Sequence, residues 1–78
     1  MRLEYDSEAD AAYVWFREDI ERAFGLDLDS SRYVDFGPDQ RPIGVELLHV
    51  SRGVDTAGLP AREQLEVLLR RNQIRVLS

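Results

Sequence analysis

The chain has 78 residues, no cysteine and a net charge of −5. This length is enough for one small domain, which we expect to span residues 1–78. The lack of cysteine excludes disulfides, thiolate metal ligands and cysteine nucleophiles. A domain of this size gains only about 3–5 kcal/mol from its own core, so we expect self-association, most simply as a homodimer, to add stability.

The charge is unevenly distributed along the chain. Residues 1–48 contain five arginines and twelve acidic residues, a net charge of −7, whereas residues 49–78 contain five arginines and three acidic residues, a net charge of +2. An acidic surface repels phosphate, which disfavours binding to nucleic acid. The same surface favours a basic protein as a partner.

No apolar run approaches the roughly 20 residues that a membrane-spanning helix needs. The first residues, Met1 to Asp6, lack the apolar segment of a signal peptide. We therefore expect no membrane partner and a cytoplasmic location.

The first fifty residues alternate apolar and polar side chains with a period of two, which predicts β-strands. The predicted strands lie at residues 3–5, 11–16 and 24–28, and a hairpin follows over residues 33–50. Residues 11–16 are apolar on both faces and are predicted as the central strand, with a helix over residues 7–24 as the alternative. Short turns between the strands predict an antiparallel meander of four to five strands over residues 1–50.

Two residues of the predicted hairpin, Pro42 and Gly44, restrict the local geometry of its second strand. Pro42 lacks an N–H group and is therefore expected at the first position of a strand or on an edge. Gly44 inside the second strand predicts a bulge or a close approach by another backbone.

The pattern changes after Val50. Residues 51–59 predict a connector, and Pro60 fits the first turn of a helix over residues 60–73 with Asn72 near its end. Residues 74–78 predict a tail, a short strand or a segment swapped into a dimer. The fold class is therefore α+β, an antiparallel sheet with one C-terminal α-helix.

The segment from Tyr5 to Tyr13 resembles the opening motif of a family of small bacterial domains of unknown function, family number 2283. Val34–Phe36 followed by Pro42–Leu48 is similar to its second motif, and the resemblance covers about residues 1–50. It implies a small β-rich domain and no particular activity. Because such short proteins are often encoded beside a toxin-like partner, the resemblance also implies an antitoxin-like role by analogy.

Alternating carboxylates make the first turn the sharpest chemical feature. Asp6, Glu8 and Asp10, joined by Glu46 from the hairpin, could hold Mg²⁺ or Ca²⁺ through oxygen ligands. The structural alternative is that Asp6 caps the turn, Glu8 faces solvent, Asp10 bonds backbone and Glu46 pairs with an arginine on a neighbouring strand. We favour this alternative, and we expect no bound cofactor.

Apolar residues on two surfaces are candidates for a dimer interface. One helix can cover only one face of the second strand, so Tyr13 and Trp15 are expected to meet a second copy. Leu65, Leu68 and Leu69 form the apolar side of the helix, which could cover its own sheet or that of a partner.

Three hypotheses for the function remain. The charge distribution favours a non-catalytic interaction module that binds a basic partner. The alternatives are a metal-dependent or acid–base enzyme that uses the N-terminal carboxylates, and a DNA-binding regulator that uses arginines of the C-terminal helix. No pattern in the sequence places a nucleophile and an orienting group near His49. We therefore interpret His49 as non-catalytic.

Overall fold

A computed structural model, which describes residues 1–77, shows a five-stranded antiparallel sheet and one C-terminal α-helix. This confirms the α+β fold class. The strands of the main sheet are β1 (Arg2–Asp6), β2 (Ala11–Trp15), β3 (Phe24–Asp27), β4 (Arg32–Phe36) and β5 (Pro42–Leu48). The remaining elements are a 3₁₀ helix (Val50–Arg52), β6 (Val54–Asp55), α1 (Arg62–Arg71) and β7 (Val76–Leu77).

The order of the strands across the sheet is β1-β2-β5-β4-β3. A meander would place β2 beside β3, so the predicted order was wrong, and the central strand is β5 rather than β2. β5 is the longest strand and buries Ile43, Val45 and Leu47. The long connection between β2 and β3 lets the chain cross to the far edge, which leaves the centre of the sheet to this most buried strand.

The helix α1 packs on one face of its own sheet. Leu65 and Leu69 are both 0% exposed, and the half-buried Leu68 packs against the same cluster. The predicted dimer interface at Leu65 and Leu69 was therefore wrong, because these side chains have no surface left to offer a partner. The sheet contributes Ala12, Val14, Val34, Val45 and Leu47 to this core.

The helix begins later than predicted. Ala61 lies in the left-handed region with φ of 50°, so the helix starts at Arg62 rather than at Pro60. Its end agrees with the prediction, since Asn72 is the C-cap and its Nδ2 donates to the carbonyl of Leu68 at 2.9 Å.

The connector and the tail pair with each other. β7 lies parallel to β6, with Val54 beside Val76, and Ile74 is buried in the core. The tail thus forms the predicted short strand and packs on its own chain instead of swapping into a dimer. The last residue of the predicted tail, Ser78, lies outside the described residues.

The face of the sheet opposite α1, here called the open face, carries Tyr13, Trp15, Tyr33, Asp35 and Glu46. These residues alternate along β2, β4 and β5 with the side chains of the core. Along residues 1–77, no helix is both long and apolar enough to cross a membrane.

Pro42 is the first residue of β5, as predicted. The close approach at Gly44 comes from a side chain rather than from a backbone, because a Cβ there would lie 2.6 Å from Cε1 of Tyr13. The predicted bulge is also present: Asp35 pairs with Gly44 and Phe36 pairs with Pro42, so the extra residue, Ile43, lies on β5 directly beside Gly44.

Candidate functional site

Aromatic rings line the centre of the open face. The ring centroids of Tyr13 and Trp15 are 4.4 Å apart and tilted by 56°. Tyr13 on β2 and Tyr33 on β4 are the two cross-strand neighbours of Glu46 on β5. The strand order missed by the sequence prediction is what places a carboxylate between two tyrosines.

Arg2 stacks on the ring of Trp15 on the open face. The guanidinium carbon of Arg2 lies 4.0 Å from the ring centroid of Trp15, a distance typical of a cation–π contact. Arg2 also donates to Glu4 and to Glu18, each at 2.6 Å. An aromatic face flanked by carboxylates thus holds a guanidinium within this protein.

Asp35 is the buried centre of a hydrogen-bond network on the same face. Its Oδ2 accepts from the hydroxyl of Tyr13 at 2.6 Å, and its Oδ1 accepts from Nε of Arg22 at 2.7 Å. Nη2 of Arg22 also donates to the hydroxyl of Tyr33 at 2.7 Å. Burial, followed by the hydrogen bond to Asp35, raises the pKa of Tyr13, so Tyr13 stays a neutral donor.

Glu46 is exposed, and within the described part of the chain its carboxylate has neither a hydrogen bond nor an ion pair. The predicted pairing of Glu46 with an arginine was therefore wrong. Together with Glu4 and Asp6 it lines a shallow cleft of about 190 Å³ beside Tyr13. The negative charge of these carboxylates and the ring of Tyr13 beside them both suit the binding of a cation.

A family model described as "Protein of unknown function (DUF2283)" matches residues 2–51, more than half of the chain. The chain belongs to the DUF2283 family. The match includes all five strands of the main sheet and the whole open face, but not α1. No curated protein and no solved structure matches this DUF2283 protein.

The structure places only two of the four candidate metal ligands of this DUF2283 protein, Asp6 and Glu46, in the same cleft. Asp6 accepts from the backbone amides of Glu8 and Ala9 at 3.0 and 3.2 Å, which caps the turn as the structural alternative predicted. Glu8 is exposed in the turn. No group of three or more His, Cys, Asp or Glu residues is placed to hold a metal ion anywhere in residues 1–77.

Asp10 turns away from Asp6 and toward the 3₁₀ helix. Its carboxylate accepts from the hydroxyl of Ser51 at 2.6 Å and from the Ser51 amide at 2.9 Å. The hydroxyl contact is the main reason why the pKa of Asp10 is lowered. Both oxygens of Asp10 are thereby used to hold the chain after β5.

A pair between Ser31 and His49 was not predicted, because the two residues are far apart along the chain. Oγ of Ser31 lies 3.0 Å from Nδ1 of His49 at the exposed end of the sheet. A serine nucleophile needs its histidine oriented by a third group. The acid near His49 is Asp10, but its carboxylate is hydrogen-bonded to Ser51 and does not orient the imidazole ring.

Two of the three arginines of α1 pair with an acid of the same helix. Glu66 is 3.2 Å from Nε of Arg62 and 3.9 Å from Nη1 of Arg70. Glu66 also accepts from the hydroxyl of Thr56, which is the main cause of its lowered pKa. Arginines paired in this way attract DNA phosphates less than free arginines do.

Proposed function

We propose that this DUF2283 protein is a non-catalytic protein-interaction module whose open face binds an arginine-containing basic segment of a partner protein. The observation that carries the proposal is the position of Glu46, an exposed carboxylate between Tyr13 and Tyr33. A carboxylate with a hydrogen-bond or ion-pair partner in its own chain is engaged in the fold, whereas Glu46 has no such partner among residues 1–77. It is available to an external cation.

Arg2 supports the choice of arginine as the ligand. Its position 4.0 Å above Trp15 shows that a guanidinium fits on this aromatic surface. Guanidinium groups combine stacking on rings with directed hydrogen bonds to carboxylates. The net charge of −7 over residues 1–48 would attract such a partner from a distance.

An antitoxin-like protein that neutralises a basic toxin belongs to this class of module. The cytoplasmic location expected from the sequence remains part of the proposal. Neither the metal-dependent enzyme nor the DNA-binding regulator gains a comparable observation, because Asp6 and Asp10 bond to other parts of the same chain and Arg62 and Arg70 pair with Glu66.

The proposal predicts binding of a fluorescein-labelled arginine-rich peptide, followed by fluorescence anisotropy at low salt. Glu46→Gln should weaken this binding about fivefold, equivalent to roughly 1 kcal/mol for one partly exposed ion pair. The matched control is Glu63→Gln, which removes the same charge from an exposed position on α1 and should leave the affinity unchanged. Binding should also shift the emission of Trp15, the only tryptophan.

Equal losses in Glu46→Gln and Glu63→Gln would show that the peptide senses the net charge alone, which would contradict a site on the open face. The absence of binding at low salt would overturn the proposal. An unchanged Trp15 emission during saturable binding would place the peptide on another surface.

A further inference from the structure

β3 is an edge strand with an exposed apolar stripe. It pairs only with β4 in the main sheet. Phe24, Leu26 and Leu28 are 39, 53 and 44% exposed, and their alternation puts all three on the side of the sheet that faces α1. No residue of β3 belongs to the buried core cluster, so α1 leaves this stripe uncovered.

The two edges of the sheet differ in a way that points to a partner for β3. Along β1, at the other edge, charged residues alternate with the apolar ones, and Arg2 is engaged by Glu4 and Glu18. β3 offers only Gly25 and Asp27 between its apolar residues. Native proteins protect an exposed apolar edge strand with charged residues or a covering element, or pair it with another strand. An unprotected edge of this kind leads to aggregation.

The backbone of β3 can accept another strand. The amide of Leu28 donates inward to the carbonyl of Arg32 at 2.8 Å. Amides and carbonyls alternate between the two sides of an antiparallel strand, so those of Gly25 and Asp27 point outward. Two outward residues can form four hydrogen bonds with a second strand.

We propose that β3 pairs in antiparallel orientation with β3 of a second copy of this chain, about a two-fold axis at Leu26. This register sets Leu26 opposite Leu26 of the second copy and Phe24 opposite its Leu28, so the whole stripe pairs with itself. An axis at Asp27 would set two like charges opposite each other. An axis at Gly25 would leave Leu28 without a partner.

The register also brings opposite charges together. Asp27 of the second copy comes to lie opposite Gly25, over which the ring of Tyr33 lies. The hydroxyl of Tyr33 is held by Arg22 at 2.7 Å. Asp27 has no ion pair within the chain over residues 1–77, and the pairing moves it toward the Arg22 guanidinium.

This interface differs from the one that the sequence predicted at Tyr13 and Trp15. It lies at the edge of the sheet and leaves the open face uncovered. The inference does not depend on the proposed function, and the two can fail separately.

Cysteine crosslinking tests the register, because the chain has no native cysteine. Leu26→Cys places two thiols in a directly opposed, non-hydrogen-bonded pair with Cα atoms about 4.5 Å apart, which is within reach of a disulfide. Leu28→Cys is the matched control, since the two copies of this residue would be about 13 Å apart along the strands. In a glutathione redox buffer we expect the Leu26→Cys dimer to form at least about tenfold faster.

The mass in solution tests the interface. Sedimentation equilibrium at micromolar concentration should give twice the monomer mass for the wild type and for Val67→Lys, a change at an exposed apolar residue of α1. Leu26→Lys sets two charges opposite each other and should raise the dimer Kd at least about tenfold. A monomeric wild type, a dimer that tolerates Leu26→Lys, or equal crosslinking of the two cysteine variants would overturn the proposal.

Discussion

Tyr13 combines three contacts in one side chain. Its ring covers Gly44 and tilts against Trp15, and its hydroxyl donates to Asp35. A ring that covers a glycine on the next strand restores the packing that the missing side chain would supply. Arg22 holds Asp35 in place, and Asp35 in turn accepts the hydrogen bond from the Tyr13 hydroxyl. The Tyr13 side chain is therefore held both by its hydroxyl and by the packing of its ring over Gly44.

The raised pKa of Tyr13 leads to a prediction for alkaline pH. The folded protein holds this phenolic proton more tightly than the unfolded chain does, so the contribution of Tyr13 to the free energy of unfolding is constant below the ordinary pKa of about 10 and falls as the pH rises above it. In Tyr13→Phe the decline above pH 10 should be shallower. Urea unfolding at a series of pH values measures this difference.

Tyr5→Phe is the control for that series, because Tyr5 is half exposed and makes no hydrogen bond through its hydroxyl within the described chain. It should keep the slope of the wild type. Equal slopes in all three proteins would contradict the assignment of the tightly held proton to Tyr13.

Single residues were predictable where their partners are close in sequence. The turn capped by Asp6 and the C-cap at Asn72 depend on neighbours within four residues, and such contacts follow from local rules. The bonds of Asp35 to Tyr13 and Arg22 join residues from different strands and loops. A sequence pattern places Asp35 on a polar face of a strand but does not identify its partners.

At the level of elements, the start of α1 carries a conformational cost. Ala61 has φ of 50° and ψ of 43°, a conformation that costs an ordinary L-residue roughly 1–2 kcal/mol. The residue is exposed, so no packing explains the choice of alanine. Glycine would adopt the same backbone without this penalty.

We therefore expect Ala61→Gly to stabilise the protein by about 0.5–1 kcal/mol, after subtraction of the extra entropy that glycine gives the unfolded chain. Denaturant unfolding measures the change. The matched control is Ala57→Gly at an exposed position without a positive φ, which should be neutral or destabilising. A loss of stability in Ala61→Gly would contradict the expected relief of strain.

The alternation of side chains predicted the five strands and the apolar side of each, but not their neighbours. Periodicity reports which side of a strand is apolar, and this agrees with the burial of Val14, Val45 and Leu47. Val14 and Val45 pair across the sheet although 30 residues lie between them along the chain. The local pattern is the same whether β2 lies beside β3 or beside β5.

For the whole molecule, the core is shared between the family region and the segment that follows it. Leu59, Leu65, Leu69 and Ile74 all lie beyond residue 51 and pack against the inner face of the sheet. The sheet alone would leave that face in water. We therefore expect that the region that defines the family does not fold on its own in this protein.

A fragment of residues 1–51 should accordingly lack a cooperative thermal transition. Circular dichroism during heating and the dispersion of amide resonances measure this, with the full chain under the same conditions as the control. A sharp transition with dispersed resonances in the fragment would show that the sheet folds without α1.

The central position of β5 also determines the time course of folding. β5 is the last of the five main strands to be synthesised, yet it joins the β1–β2 pair to the β3–β4 pair. Until it emerges from the ribosome, the nascent chain can hold only two separate hairpins, and isolated hairpins are marginally stable in water. Contacts between strands so distant along the chain form slowly because closing the intervening loop is entropically costly. During synthesis the aromatic residues of β2 and β3 therefore stay exposed together until β5 joins the two hairpins.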